Sequence, residues 1–402
     1  MKVFDNLADL NNFRTQFDAP VPTFQKELSE GLTFSARAYD LSDHRFTNLY
    51  GISSDAPPQL VFPQTLTTSR QLLQSDTQVH TATSGGFFFL ADEDFSPACN
   101  SLNLAIDKGG QVLSLPVADK RETLVIDERD VVYMRTLGAW GIVLVNGYEL
   151  TWSSSTDDDT DITVYGNGNS VIKHVKDDTT GVKRILDKGS HFTPNEIPDD
   201  FVDLGLIGAT DAHLIEANRA KGNLEILSHN TVMRIPEKYV RPKPDENEIV
   251  VKEIGDIAVD GIRQAITVGP DLPTRDFASH PINSDESLGG KPPFSGRPIA
   301  QNMIFQTEDG KIHTQIFDGR PGSESFSGVT PNEARDIILR DFVVAWGCFL
   351  DVGQTANLSF THDNKIKTYG NRHYAKWNFP EPGQFAWTED SAARPVANLL
   401  TF

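Results

Sequence analysis

The last third of the chain constrains the fold most, because strand, turn and helix signals follow one another closely there. Residues 302–317 alternate apolar and polar side chains around Asp309-Gly310, which predicts a β-hairpin with an Asp-Gly turn. The segment Thr330–Glu333 supplies an N-cap, a proline at the first helical position and a capping-box glutamate. The apolar run 342–350 follows and predicts a buried strand.

Asp351 comes directly after this run, so we expect it where a central strand leaves the sheet. Open sheets present ligand sites at strand ends, in loops held by a rigid scaffold. The alternative is that Asp351 only caps a loop and Gly353 only turns the chain. Local pattern alone leaves both interpretations open.

Several short motifs of the chain occur in an order that has a known counterpart. They are Ser84-Gly85-Gly86-Phe87-Phe88, Val268-Gly269-Pro270-Asp271-Leu272, Arg297, Asp318-Gly319-Arg320, Ser327-Gly328-Val329-Thr330, Glu333, Asp351-Val352-Gly353-Gln354-Thr355-Ala356 and Arg394-Pro395-Val396-Ala397-Asn398. In this order the chain resembles the phosphodiester glycosidase family, the uncovering-enzyme domain. The family's asparagine is Ser84 here, and its Asp-Gly-Gly-Gly-Ser-Ser loop is Asp351–Ala356. A triple glycine lets backbone N–H groups approach a substrate closely, whereas Val352 and Gln354 restrict φ.

The resemblance implies a hydrolase that cleaves a sugar–phosphate bond of a glycosyl phosphodiester. Asp351 is the candidate base, or the group that stabilises oxocarbenium-like charge, and Thr355 is a candidate hydrogen-bond donor. Asp318 is a candidate second carboxylate, although it also suits a turn, as Glu333 suits a helix cap. The acid–base pair therefore stays open. The expected substrate-binding residues are Ser84, Gly85, Gly86, Arg297, Arg320, Gly353 and Arg394.

The three arginines of this set share a local feature, because each stands directly before a proline in Gly-Arg-Pro or Ala-Arg-Pro. Proline biases the preceding residue towards extended backbone, and a guanidinium fork matches phosphate or carboxylate. These arginines would suit an anionic diester. Surface ion pairing is the alternative.

Composition excludes several classes of protein. The net charge of −20 argues against binding nucleic acid or an anionic membrane. No apolar run approaches a membrane span and no leader signal is evident, so we expect a cytoplasmic protein without a membrane anchor. The expected partner is a small sugar-phosphate or nucleotide-like substrate, and the oligomeric state is left undetermined.

Metal and thiol chemistry are not expected. No histidine pair has zinc spacing. Asp157, Asp159 and Asp161 resemble a calcium cluster without its loop register, so a solvated loop is favoured over a Ca²⁺ site. Cys99 and Cys348 are too few for a disulfide framework, and a reduced core thiol is expected at Cys348.

These signals predict an α+β fold, with a mixed β-sheet core and flanking helices. Residues 1–75 would be a lead-in with an edge strand at Leu32–Tyr39, and residues 76–402 a phosphodiester-glycosidase-like domain with an insertion at 151–250. Within the insertion we expect a hairpin between Ile162–Tyr165 and Val171–Val175, and a helix near Thr210–Lys221. The proline-rich segment 270–300 would be a long loop that roofs the site.

Two other function classes remain alternatives to hydrolysis. One is a binding protein that kept the fold and an anionic pocket. The other is a biosynthetic transferase or rearrangement enzyme, for which excluding water would matter.

Overall fold

The structure is a computed structural model that describes residues 1–88, 101–117, 120–156, 158–166, 172–175, 183–186, 192–210, 213–226, 229–285, 292–320, 322–377, 380–390 and 393–402. Cys99, Asp157 and residues 167–169 lie outside these ranges. In the described part, no helix is long and apolar enough to span a bilayer.

The first strands, in chain order, are β1 (Lys2–Phe4), β2 (Phe24–Ser29), β3 (Leu32–Asp40), β4 (Phe46–Ser54), β5 (Gln59–Val61), β6 (Thr81–Ser84), β7 (Ala105–Ile106), β8 (Val112–Ser114), β9 (Arg121–Asp127), β10 (Val132–Leu137), β11 (Trp140–Val145), β12 (Tyr148–Ser153), β13 (Ile162–Gly166), β14 (Ile172–Val175) and β15 (Lys183–Leu186). The remaining strands are β16 (Phe201–Thr210), β17 (His213–Ala220), β18 (Thr231–Pro236), β19 (Ile249–Ile254), β20 (Ile257–Ala258), β21 (Ile262–Thr267), β22 (Gln301–Thr307), β23 (Ile312–Phe317), β24 (Val344–Phe349), β25 (Asn357–His362), β26 (Lys365–Gly370), β27 (Lys376–Trp377), β28 (Phe385–Trp387) and β29 (Leu399–Thr401). The α-helices are α1 (Leu7–Arg14), α2 (Ser69–Ser75), α3 (Ile282–Asp285) and α4 (Pro331–Asp341), and 3₁₀ turns cover Thr15–Phe17, Glu237–Tyr239, Pro244–Glu246, Val259–Gly261 and Gly353–Thr355.

A six-stranded antiparallel sheet in the order β2-β3-β4-β23-β22-β24 carries the predicted strand–helix–strand unit. The hairpin β22–β23 forms as predicted, and Gly310 takes φ +90° in its turn. Helix α4 also forms as predicted, since Thr330 accepts the Glu333 N–H and the Glu333 carboxylate accepts the Thr330 N–H. Its apolar face contributes Ala334, Ile337 and Ile338 to a core cluster with the sheet.

The other face of this sheet packs on a five-stranded antiparallel sheet in the order β26-β25-β6-β29-β5. Phe34, Ile52 and Ile316 lie in one cluster with Leu358 and Phe360 of the second sheet. The rings of Phe34 and Phe360 are 4.4 Å apart between centroids. The two sheets form a sandwich, so the ends of β6, β24 and β29 can meet at one place.

The remaining strands form smaller layers and one large sheet. Strands β11 to β13 and β16 to β20 make an eight-stranded sheet in which β11 also pairs with β19, closing a ring around the largest apolar cluster. The predicted insertion 151–250 falls within these strands. The other sheets are β10-β9-β21-β7-β8, β1-β28-β27 and β14-β15.

The chain is therefore mainly β, and the predicted α+β fold holds only in the coarse sense that a sheet core carries a few flanking helices. The predicted helix near Thr210–Lys221 is wrong, because its residues form strand β17 paired with β16. The predicted hairpin of Ile162–Tyr165 is also wrong. Strand β13 pairs with β12 and β18, and β14 pairs with β15.

Two expectations about strand position need correction. Strand β3 lies inside the sheet, and β2 is the edge strand. Strand β24, which leads to Asp351, is not central but ends the strand order. Its outer side is covered by the segment 269–272, where the Gly269 N–H donates to Phe349 O at 2.8 Å and the Leu272 N–H to Gly347 O at 2.9 Å. The described part of 270–300 is otherwise irregular apart from α3, as predicted.

Candidate functional site

Backbone hydrogen bonds join several of the sequence motifs at one end of the sandwich. The Asp351 N–H donates to Gly85 O at 2.9 Å, and the Gly85 N–H donates to Asn398 O at 3.2 Å. The Leu350 N–H donates to Asn302 O at 2.8 Å. The structure thus brings together Asp351, the Ser84-Gly85 pair and Asn398, which lie far apart in the chain.

Buried side-chain amides surround Gly85. Asn302 Nδ2 donates to Ser84 O at 2.9 Å and to Ser84 Oγ at 3.0 Å, and Asn398 Nδ2 donates to Ser101 Oγ at 3.0 Å. Among the described residues, the Oδ1 atoms of Asn302 and Asn398 accept no hydrogen bond. A side chain at Gly85 would place its Cβ 2.4 Å from Asn398 Oδ1, so only glycine fits. Unpaired buried acceptors cost free energy, and a donor from a ligand or water would offset that cost.

The loop after Asp351 is held by hydrogen bonds among its own residues and by a bond to Ala300. Asp351 Oδ1 accepts the Val352 N–H at 2.8 Å, and Thr355 Oγ1 donates to Val352 O at 3.0 Å. Gly353 takes φ +75° and its N–H donates to Ala300 O at 2.8 Å. The hydroxyl of Thr355, the predicted donor, and the N–H of Gly353, a predicted binding residue, are therefore already used within the fold.

A cluster of cationic side chains lies beside this loop. The loop and the segment that carries Arg372 are joined by a hydrogen bond, in which Asn371 Nδ2 donates to Gly353 O at 3.0 Å. Arg320 forms a forked ion pair with Asp18, with Nε 2.8 Å from Oδ2. Both side chains are largely buried, at 14% and 9% exposure. The pKa of Arg14 is lowered to about 10 by burial and by Arg320.

The imidazole of His373 lies within the same cluster, with Nε2 3.8 Å from Asp18 Oδ1. Burial, followed by the charges of Arg14, Arg320 and Arg372, lowers the pKa of His373 to about 3. The imidazole is therefore neutral at physiological pH, and the positive charge of the cluster resides on the arginines.

Asp318 directly follows strand β23 and borders this cluster. Its carboxylate accepts the Gly319 N–H at 2.7 Å, and its carbonyl accepts the Thr47 hydroxyl at 2.8 Å. Burial, followed by the charge of Asp18, raises the pKa of Asp318 from 3.8 to about 7, against the opposing effects of Gly319 and Arg372. Asp318 can thus carry a proton near neutral pH.

The other predicted site residues are placed less centrally. Arg297 is exposed in the loop before Ala300. Arg394 is half-buried four residues before Asn398. Gly86 is buried against Thr267 O, which a Cβ would approach to 2.3 Å. Glu333 serves as the α4 cap and also pairs with Arg45 at 2.5 Å.

Sequence reasoning missed the N-terminal contribution of Arg14 and Asp18. It also missed Arg372, whose guanidinium carbon lies 5.1 Å from the centre of the Phe17 ring. The only local signal is a polar run at 371–373 after a strand. The pairing of Asp18 with Arg320 spans 302 positions, which no spacing pattern reveals.

Two described aspartates in the acidic loop of the predicted insertion are engaged in hydrogen bonds with neighbouring side chains and backbone. Asp158 accepts a hydrogen bond from Ser153, and Asp161 accepts from the Thr151 N–H and hydroxyl, each at 2.9 Å. The described residues contain no group of three or more His, Cys, Asp or Glu side chains able to hold an ion. Cys348 is a buried free thiol whose pKa is raised by burial.

Comparison with known proteins supports the fold alone. No protein-family model matches the chain, and no curated protein matches it. The structure is similar to that of a hypothetical protein from Synechocystis, with a TM-score of 0.54 and 14% identity, over 96% of this chain and 64% of that one. The chain therefore spans under two thirds of that relative. A second structure, from Burkholderia pseudomallei, aligns with 89% of this chain and with 74% of the Burkholderia chain, at 12% identity and a TM-score of 0.48.

Proposed function

We propose that the protein is a hydrolase that cleaves the sugar–phosphate bond of a glycosyl phosphodiester at the end of the sandwich. The observation that carries this proposal is the surplus of positive charge beside the Asp351 loop. Arg14, Arg320 and Arg372 face the carboxylates of Asp18 and Asp318, and Asp318 has a pKa near 7. Partly buried guanidinium groups in excess over ionised carboxylates favour an anionic ligand.

The neighbouring groups suit the sugar half of such a substrate. The buried Oδ1 atoms of Asn302 and Asn398 accept no hydrogen bond among the described residues, and sugar hydroxyls are suitable donors for such acceptors. A sugar held there would lie next to Asp351, since the Asp351 N–H bonds to Gly85 O. This placement supports cleavage at the anomeric carbon.

In the proposed reaction, Asp351 removes a proton from water as the water oxygen bonds to the anomeric carbon. The bond from that carbon to the phosphate oxygen breaks, and the arginines stabilise the departing phosphomonoester. Asp318 holds a proton that can pass to the leaving group, although phosphate needs little acid assistance. One general acid or base typically accelerates a reaction by about 10²–10⁴-fold.

The test is phosphomonoester release from a panel of glycosyl phosphodiesters that includes UDP-N-acetylglucosamine and simpler sugar diesters. Asp351→Asn and Arg372→Met are compared with Asp256→Asn and Arg275→Ala, which alter exposed residues away from the cluster. We expect turnover in the wild type and both controls, and a loss of at least about a hundredfold in the two site variants. Equal turnover in all five proteins would exclude this site.

A second candidate function is non-hydrolytic binding of the same anionic ligands. It is favoured by the self-contained loop, in which Thr355 Oγ1 and the Gly353 N–H already donate within the chain. The same panel separates the two functions, because a binding protein shows saturable binding that Arg372→Met weakens and no product release. Arg297→Ala then tests whether this exposed arginine, which the family resemblance predicts to bind substrate, takes part in hydrolysis or in binding.

A further inference from the structure

We propose that a groove on the outer face of the six-stranded sheet binds a neutral saccharide of one or two sugar rings. The groove lies on β2, β3, β4 and β23, between the edge strand and the C-terminal end of α4. It contains none of the residues assigned to the strand-end site. The inference is independent of the proposed hydrolase function.

The groove exists because helix α4 covers only half of this sheet face. In a strand, alternate residues point to opposite faces. Phe34 and Ile52 point inward to the second sheet, so Ser35 and Gly51, which are paired across β3 and β4, face outward. Gln315 is paired with Gly51 on the other side and shares this outer face. The cavity measures about 590 Å³, within the roughly 300–1,000 Å³ typical of small-molecule sites.

The floor of the groove is a buried amide with unused hydrogen-bonding capacity. A Cβ on Gly51 would lie 2.4 Å from both Oε1 and Nε2 of Gln315, so the missing side chain makes room for this amide. Gln315 is only 3% exposed, and within the described residues its Oε1 accepts no hydrogen bond. An unpaired buried acceptor is costly, and a ligand donor would satisfy it.

The walls supply hydroxyl and amide groups. Thr33, Ser35, Ser53 and Gln25 line the cavity together with His313. Leu49 and Phe342 add apolar surface to the lining. A sugar ring presents hydroxyls along its rim and C–H groups on its faces, so this mixture of polar and apolar lining matches it.

The electrostatics of the groove select a neutral ligand. Arg37 is ion-paired with Asp341, which also accepts a hydrogen bond from the Tyr39 hydroxyl. Burial lowers the pKa of His313 to about 4, so its imidazole is uncharged at neutral pH. Within the lining, the one guanidinium and the one carboxylate balance, and Arg340, which lies outside the lining, shares Asp341 with Arg37. This balance separates the groove from the arginine cluster at the strand ends.

The experiment is calorimetric titration of the protein with neutral saccharides, namely glucose, N-acetylglucosamine, galactose, mannose and xylose and their common disaccharides. Ser35→Phe fills the groove and Gln315→Leu removes the floor amide. Thr136→Phe, on an exposed strand face elsewhere, is the matched control. We expect at least one saccharide to bind with roughly millimolar affinity. Both groove variants should weaken it at least tenfold and the control should not.

Stability measurements keep the outcome interpretable. Gln315→Leu should melt no lower than the wild type, because it removes an unpaired buried oxygen. The proposal is overturned if no saccharide of the panel binds, or if either folded groove variant binds like the wild type. It is also overturned if affinity falls in Asp351→Asn but not in Ser35→Phe, which would place the sugar at the strand ends. The same holds if glucose 1-phosphate binds tighter than glucose and Ser35→Phe weakens that tighter binding, which would mean that the groove takes an anion.

Discussion

Replacing Asp318 by Asn tests whether this buried carboxyl is protonated in the folded protein. Its pKa rises from 3.8 in the ordinary state to about 7 in the fold, so the folded state binds more protons than the unfolded state between these values. Stability from this group is then fully present below pH 3.8 and is lost as the pH rises through 7. The total loss is about 4 kcal/mol, at roughly 1.4 kcal/mol for each pKa unit.

Between pH 5 and pH 8 the wild type should lose about 2–3 kcal/mol through Asp318, whereas Asp318→Asn carries no such cost. Urea denaturation of both proteins at several pH values gives the difference in unfolding free energy, in which most other groups cancel. We expect the unfolding free energy of Asp318→Asn to rise relative to that of the wild type as the pH rises. Asp309→Asn is a flat control, because hydrogen bonding from Thr307 lowers the pKa of Asp309 from 3.8, so this carboxyl is ionised in both states from pH 5 to 8. A difference that stays flat from pH 5 to 8 would mean that Asp318 is ionised in the fold and cannot be the proton donor.

The remaining stability predictions concern the elements around the site, and each is read from urea denaturation. Thr330→Ala removes the acceptor for the Glu333 N–H and should lower the unfolding free energy by about 1 kcal/mol; no change would argue against the cap. Gly353→Ala should cost about 1–2 kcal/mol through its φ of +75° alone, since a Cβ there meets nothing within 4 Å. A larger loss of unfolding free energy would mean that the new methyl group clashes with a neighbouring residue. Asp18→Ala leaves Arg320 largely buried and unpaired and should cost about 3 kcal/mol, and a cost below 1 kcal/mol would mean that solvent reaches the guanidinium.

The parts of the fold that could be predicted from the sequence are those specified by neighbouring residues. The Asp309-Gly310 turn and the capping box of Thr330 and Glu333 are local signals, and both formed as expected. The segment of strand β17 was predicted to be a helix from its local sequence, whereas its pairing with β16 depends on residues outside that segment. Tertiary context overrides local preference in such segments.

The site divides in the same way. The motif order led us to expect Ser84-Gly85 and Asp351 close together, and the structure joins their backbones by a hydrogen bond, although Asp351 follows a strand that ends the strand order. Of the arginine cluster, Arg320 was among the predicted binding residues, whereas Arg14 and Arg372 were not, because they come from the N-terminal helix and from the segment after β26. Arg14 and Arg372 carry no local pattern, and their significance follows only from which carboxylates they face.

Salt dependence offers a last test of the charge arrangement, and its sign distinguishes two places for the phosphate. The chain carries a net charge of −20, which repels an anionic substrate at long range. Salt screens this repulsion over a Debye length of about 10 Å at 0.1 M, but it screens partly buried pairs much less. If the phosphate binds at the cluster of Arg14, Arg320 and Arg372, the KM for a diester substrate should fall or stay level as salt rises from about 0.02 to 0.15 M. If the phosphate instead binds at exposed Arg297, the KM should rise with salt, and that result would refute the cluster as the binding site.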